Sequence, residues 1–220
     1  MLSRFVQTFY NRLLRPHLPR KIASFNGVPV RQPRLLDRTD VRPEYEAPLV
    51  SGIEEQVGGS DNVVVVGGGY GVASTYAARR AGPEGNVTVF EGGEEQVSRV
   101  RETAVLSRTA ETIDVRHAIV GTDKNVYGDS SDASILQPRD LPSCDVLVLD
   151  CEGAEIDILE HMSIEPQAIV VETHHVYDAP AEDVRALLHE RGYDIVSERI
   201  EESPYGDLPV LTAEISDQKE

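Results

Sequence analysis

Four consecutive valines, Val63, Val64, Val65 and Val66, run directly into Gly67, Gly68, Gly69, Tyr70 and Gly71, and this junction constrains the fold more than any other stretch. A β-branched run without polar alternation suits a central parallel strand covered on both faces. Glycines at 67, 69 and 71 permit a tight turn and a close ligand approach that a Cβ would block. Residues 71–81 then read as a helix closed by Gly82 and Pro83. The N-terminus of such a helix favours a carboxylate or phosphate.

The same alternation continues along the chain. Strands are predicted at 87–90, 113–115, 145–149, 168–171, 193–197 and 210–215, and further helices at 47–57, 94–107 and 181–191. This predicts a doubly wound, mostly parallel seven-stranded α/β sheet. Sheets of this type bind ligands beyond the carboxyl ends of their strands, at the switch point. Those ends carry the glycine turn, then Glu91 and Gly92, then Asp150, Cys151, Glu152 and Gly153, then Glu172, Thr173 and His174. Glu91 follows Gly71 by 20 residues, where an acid can accept hydrogen bonds from both hydroxyls of a ribose. Turn and acid together point to a nucleoside-bearing cofactor. The dinucleotide fingerprint needs a third small residue after the glycines, and in the two registers that position holds Val72 or Ser74.

The Gly67-x-Gly69-x-Gly71 spacing resembles the first motif of class I S-adenosylmethionine-dependent methyltransferases. The segment Asp150, Cys151, Glu152, Gly153, Ala154, Glu155 resembles the Asp-x-Glu-Gly-x-Glu block of FkbM-type methyltransferases. The strand before Glu172, Thr173 and His174, and the closing Gly192-Tyr193 turn, resemble that family's next elements. His117, Ala118, Ile119, Val120 and Gly121 sit where it has a short segment after the third strand. The resemblance spans residues 46–200. It implies a Rossmann-like methyltransferase domain over 46–220 with S-adenosyl-L-methionine as cofactor. The cofactor would be held by Gly67, Gly68, Gly69, Tyr70, Gly71, Glu91, Gly92, His117, Ala118 and Asp150. The implied reaction is O-methylation of a hydroxyl on a sugar, glycan or secondary metabolite. One departure stands out: the position two before Gly67, usually acidic and used to orient the methionine end of the cofactor, is Val65. An NAD(P)-dependent oxidoreductase and a catalytically silent cofactor-binding member are the alternatives.

Methyl transfer from a sulfonium is an in-line displacement helped chiefly by positioning. A hydroxyl acceptor must also lose its proton to a base within hydrogen-bond reach. Asp150, Glu152, Glu172 and His174 are the catalytic candidates, Asp150 beside the cofactor and one of the other three as base. Glu155 and Asp157 read as solvated helix residues and His175 as a loop residue. Carboxylates and imidazole can bind a divalent metal, but no ligand spacing is diagnostic and none is expected. No Gly-x-Ser-x-Gly elbow is present, which argues against a hydrolase. Acceptor specificity is expected in the loops 122–140 and 173–181.

The formal charge is −17, from 38 acidic and 21 basic residues, and Lys occurs only at positions 21, 124 and 219. Such a balance suits a protein kept hydrated in concentrated salt, as in a haloarchaeal cytoplasm. It argues against nucleic acid as a partner. Residues 1–36 nevertheless hold seven basic residues and no acidic one. With Leu2, Phe5, Val6, Phe9, Leu13 and Leu14 at helical spacing, they predict a basic amphipathic arm. An extended linker over 29–43 would join it to the domain, dividing the chain into 1–45 and 46–220. The arm is expected to dock on the acidic body or on a second subunit of a homodimer, with a peripheral membrane contact as the alternative. Cys144 and Cys151 form no disulfide or metal pattern, and Cys151 reads as buried filler. With no membrane-spanning run and no leader pattern, the expected location is cytoplasmic.

Overall fold

The computed structural model describes residues 8–38, 40–121, 129–202 and 206–216. Its centre is an eight-stranded sheet. The strands are β4 (Asn62–Val66), β5 (Asn86–Glu91), β6 (Ile113–Val120), β7 (Ser134–Leu136), β8 (Val146–Leu149), β9 (Ala168–Glu172), β10 (Tyr193–Glu201) and β11 (Leu208–Ile215). Their order is β10-β11-β9-β8-β4-β5-β6-β7. All neighbours from β9 through β7 run parallel, while β11 is antiparallel to both β9 and β10.

The valine run is explained by what lies on each side of it. Val63 and Val65 pack with Leu49 and Ile53 of α1 (Ala47–Gln56), Ala77 of α2 (Val72–Ala81) and Val100 of α3 (Glu94–Ser107). Val64 and Val66 face the other way, onto Ile158 of α4 (Glu155–His161) and Leu188 of α5 (Ala181–Glu190). Both faces are dry, so alternation has nothing to report. The switch point falls at β4, which has β5 on one side and β8 on the other. The carboxyl ends of β4, β5, β8 and β9 therefore crowd one edge.

The sheet has one strand more than expected. Ser134–Leu136 extends it parallel to β6, too short and too exposed to show a period. Likewise β6 runs on to Val120, because its exposed start (Asp114, Arg116) gives way to a buried end at Ala118 and Val120.

Residues 29–43 are not a linker. Strands β1 (Arg20–Phe25) and β2 (Val28–Arg34) form an antiparallel hairpin, with β3 (Val41–Arg42) pairing to β1. Its turn, Asn26-Gly27, has φ of 44° and 74°, the left-handed pair that a tight two-residue hairpin loop demands. Phe25, Val28 and Val30 are buried against Val50 of α1 and Val72 of α2. Arg20 pairs with Glu95 of α3, and Arg31 with Glu102 at 2.6 Å. Ahead of the hairpin, the described part of the amphipathic segment is one wide helical turn, Tyr10–Leu14, anchored where Arg15 grips Asp37 at 2.8 Å. Leu2, Phe5 and Val6 lie outside the described residues. Among the described residues no helix is long and apolar enough to cross a membrane.

Candidate functional site

The glycine turn is held open by a carboxylate from the neighbouring strand. Glu91 ends β5 almost fully buried, and its Oε2 accepts from the Gly68 and Gly69 amides at 2.8 and 3.2 Å. Its Oε1 accepts from the Gly93 amide at 2.8 Å. A Cβ on Gly67, at φ 93°, would overlap the Asp150 carbonyl oxygen of β8's outgoing chain. Only glycine lets these two strand exits touch. Gly71 caps α2 at φ 79°.

Around this frame lies a cavity of about 420 Å³, within the range of small-molecule and cofactor pockets. Gly67, Gly69, Tyr70, Glu91, Gly92, Ala118 and Asp150 line it, so seven of the ten expected cofactor contacts share one space. Gly68, Gly71 and His117 stand behind its wall. Gly68 packs against Val100 and Glu91. The Nε2 of His117 lies 3.0 Å from the Gly92 carbonyl oxygen, shaping the loop rather than facing the cavity.

A second cavity of about 410 Å³ shares Tyr45, Glu46, Asp150 and Glu152 with the first and ends on Glu172 and His174. The four expected catalytic residues are thus brought together. His174 is buried among carboxylates: Nδ1 donates to Glu155 Oε1 at 2.8 Å, and Nε2 faces Glu172 Oε1 at 3.3 Å and Asp150 Oδ1 at 3.6 Å. Burial alone would lower the imidazole pKa. The hydrogen bonds to Glu155 and Glu172 and the Asp150 charge override it and push it up to about 11. His174 is therefore a resident cation. Burial drives Asp150 well above the carboxylate range, with Glu172 adding repulsion. Glu152 rises to about 7, chiefly by burial, with His174 pulling it down and Glu91, Glu155 and Glu172 pushing it up. Its φ of 53° is a conformation that non-glycine residues seldom hold without reason.

Glu155 is no solvated helix residue. It is wholly buried, accepting from the Cys151 and Gly153 amides at 3.2 and 2.7 Å as well as from His174. An acid at a helix start, folding back onto the loop amides before it, is the signal that sequence reading passed over. Asp157 is partly exposed beside His161, and His175 is exposed. Cys151 is half-buried, packing against the core on one side and lining the first cavity on the other.

Two further acids enter from distant elements. Glu46, at φ 51° just ahead of α1, lines both cavities. Burial lifts it to about 8, against a lowering hydrogen bond from Tyr45. Its Oε1 would lie 3.7 Å from a Cβ on Gly69. Val65, by contrast, is completely buried in the core. A carboxylate thus reaches the glycine turn from the helix start rather than from the strand. Glu201, at the end of β10, closes the far side of the second cavity. Neither ends one of the continuous apolar strand runs, so only the folded chain brings them in.

Among the described residues, the group that could hold a metal is Asp150, Glu172 and His174, whose ligand atoms lie within 4.8 Å of one another.

The cavity's volume, glycine cradle and buried acid suit a nucleoside carrying a methionine tail. Several solved structures resemble this chain in fold. A precorrin-6y C5,15-methyltransferase from Geobacter metallireducens superposes with a TM-score of 0.56 at 15% identity, over 85% of this chain and 93% of its own. A ribosomal protein L11 methylase from Lactobacillus delbrueckii subsp. bulgaricus gives 0.55 at 15%, over 80% of each chain. A SAM-dependent O-methyltransferase from Thermotoga maritima gives 0.54 at 15%, over 80% of this chain and 67% of that one. At such identities these likenesses speak for the fold, a Rossmann-like methyltransferase fold. No protein of curated function matches the chain. The methyltransferase FkbM domain model matches residues 52–195, from α1 into β10. That span covers the glycine turn, Glu91, the Asp150–Glu155 block and Glu172–His174, and so sets aside the oxidoreductase alternative. The chain belongs to the FkbM methyltransferase domain family, and its cofactor is S-adenosylmethionine.

Proposed function

We propose that this protein is an O-methyltransferase acting on a hydroxyl of a small-molecule or glycan acceptor. The observation that carries the reading is the shared wall of Tyr45, Glu46, Asp150 and Glu152, which sets a cofactor-sized cavity against a second one lined by acid–base groups. S-adenosylmethionine supplies an electrophilic methyl on a sulfonium. Glu91 accepts from a ribose hydroxyl with the one lone pair its three amide donors leave free. Glu46 supplies the carboxylate that Val65 does not, toward the methionine end.

Glu152 is the general base. Its pKa of about 7 is matched to neutral operation, and it lines both cavities. It takes the acceptor's proton as the oxygen receives the methyl and the sulfur keeps the bonding pair. His174, already protonated, cannot take that proton. It holds Glu155, Glu172 and Asp150 in place and balances part of their charge.

The test is Glu152→Gln, measured for methyl transfer and for cofactor affinity. We expect kcat to fall by ~10²–10⁴-fold with S-adenosylmethionine Kd nearly unchanged. Unaltered kcat would remove Glu152 from the base role.

A further inference from the structure

The second cavity is walled by carboxylates from five places in the chain: Glu46, Asp150, Glu152, Glu172 and Glu201 line it, with Glu155 directly behind. No Arg or Lys is among the described residues that line it. His174 is the one basic group there, and both its ring nitrogens are already spent on Glu155, Glu172 and Asp150. Six carboxyl groups thus surround one imidazole, and burial holds Asp150, Glu46, Glu152 and Glu201 above the ordinary carboxylate range, so an arriving cation is the ligand that would pair them as they ionise. S-adenosylmethionine carries a sulfonium and an ammonium against one carboxylate, so it offsets a single further charge. Buried charges are kept only when paired. Glu46 and Glu201 are lifted to about 8 and about 7, as acids are when burial and like charges act on them without a cation nearby. Glu46 and Glu201, far apart in sequence, both line this cavity.

An anionic acceptor, such as a sugar acid or a phosphate, would meet only repulsion here. A neutral polyol offers these acids hydrogen bonds but no opposite charge. We propose that the methyl acceptor is a hydroxylated amine of amino-sugar size, its ammonium held between Glu172 and Glu201 while its hydroxyl lies at Glu152. The proposal rests on the methyl-transfer reading of the same site. The cavity, about 410 Å³, has room for such a molecule. Tyr45 and Tyr177, which also line it, add ring surface of the kind that suits a cation. The cluster of Asp150, Glu172 and His174 invites a divalent metal as the rival cation, but Glu201 lies outside that cluster and the two tyrosine rings line the same space, which suits an organic ammonium.

The experiment uses the full chain loaded with S-adenosylhomocysteine and treated with EDTA. Glucosamine, N-acetylglucosamine and glucuronate are titrated by calorimetry, and the first two are then offered as acceptors. Glucosamine is expected to bind about tenfold or more tighter than its N-acetylated counterpart, and glucuronate not at all. Glu201→Gln should weaken glucosamine several-fold, about 1 kcal/mol or less, while the S-adenosylhomocysteine Kd stays the same. Equal binding of the two sugars, preference for glucuronate, or no binding of glucosamine overturns the proposal. So does tight binding of Mg²⁺ or Mn²⁺ to the chelator-free protein with no response to amines. Failure to bind S-adenosylhomocysteine fails the methyl-transfer reading itself and takes the proposal with it.

Discussion

Glu91 shows how one side chain can be both structure and site. Its two oxygens take three backbone amides from two loops, so its removal orphans buried donors as well as a ribose contact. Each unpaired buried amide costs ~1–3 kcal/mol. Glu91→Ala is therefore expected to lower the melting temperature clearly and to weaken S-adenosylmethionine by about tenfold or more. Calorimetry and thermal unfolding on the same sample check it, and unchanged affinity would refute the ribose assignment. Glu91, Asp150, Glu172 and His174 were readable because each ends a strand whose apolar run marks it. Glu155 was not, because its burial depends on the His174 ring arriving from another strand end. Glu46 and Glu201 were not, because nothing local separates a cavity-lining acid from the many solvated acids of a chain at −17.

At the scale of elements, β4, β5, α2 and α3 were legible from the strand, turn and helix chemistry, to within a residue or two of their ends. Short or edge elements were not. β7 is three residues at the sheet margin. The hairpin β1–β2 hid behind Pro29, Pro33 and its many arginines, although Asn26-Gly27 is a hairpin turn signal in its own right. That hairpin bears on the site. Phe25, completely buried, packs against Tyr45 and Tyr70 with ring centroids at 4.9 and 5.4 Å, and both tyrosines line the cofactor cavity. Phe25→Ala should cost ~3–5 kcal/mol of stability and weaken cofactor binding as the two rings lose their backing. Denaturant unfolding with calorimetry on the folded variant measures both. Loss of stability with cofactor affinity intact would make the hairpin mere scaffolding.

For the whole molecule, the acidic site leaves a signature in stability against pH. Glu46, lifted to about 8, and Glu152 and Glu201, each lifted to about 7, start from a reference of 4.5, and His174 rises from 6.5 to about 11. All four bind protons more tightly in the folded chain than in the unfolded one. The stability they contribute is complete below their unfolded pKa values and is lost as pH rises through 7–8, and for His174 through about 11. Asp37, lowered to about 2 by its Arg15 hydrogen bonds, works in the opposite sense, its contribution lost only as pH falls from 3.8 through about 2. The ligand-free protein should therefore melt at a lower temperature near pH ~9 than near pH ~5.5. A melting temperature that rises over that range would contradict the protonated cluster.

The chain's negative charge is concentrated after residue 36, and screening relieves self-repulsion, so binding is best compared at low and high ionic strength. The most direct measurement is isothermal titration of the full chain with S-adenosylmethionine and, separately, with NAD, in dilute buffer and in ~2 M KCl. The account predicts one S-adenosylmethionine site per chain with a Kd of about micromolar order in molar salt, and no heat from NAD. Binding of NAD without S-adenosylmethionine, or of neither in either salt, would contradict it.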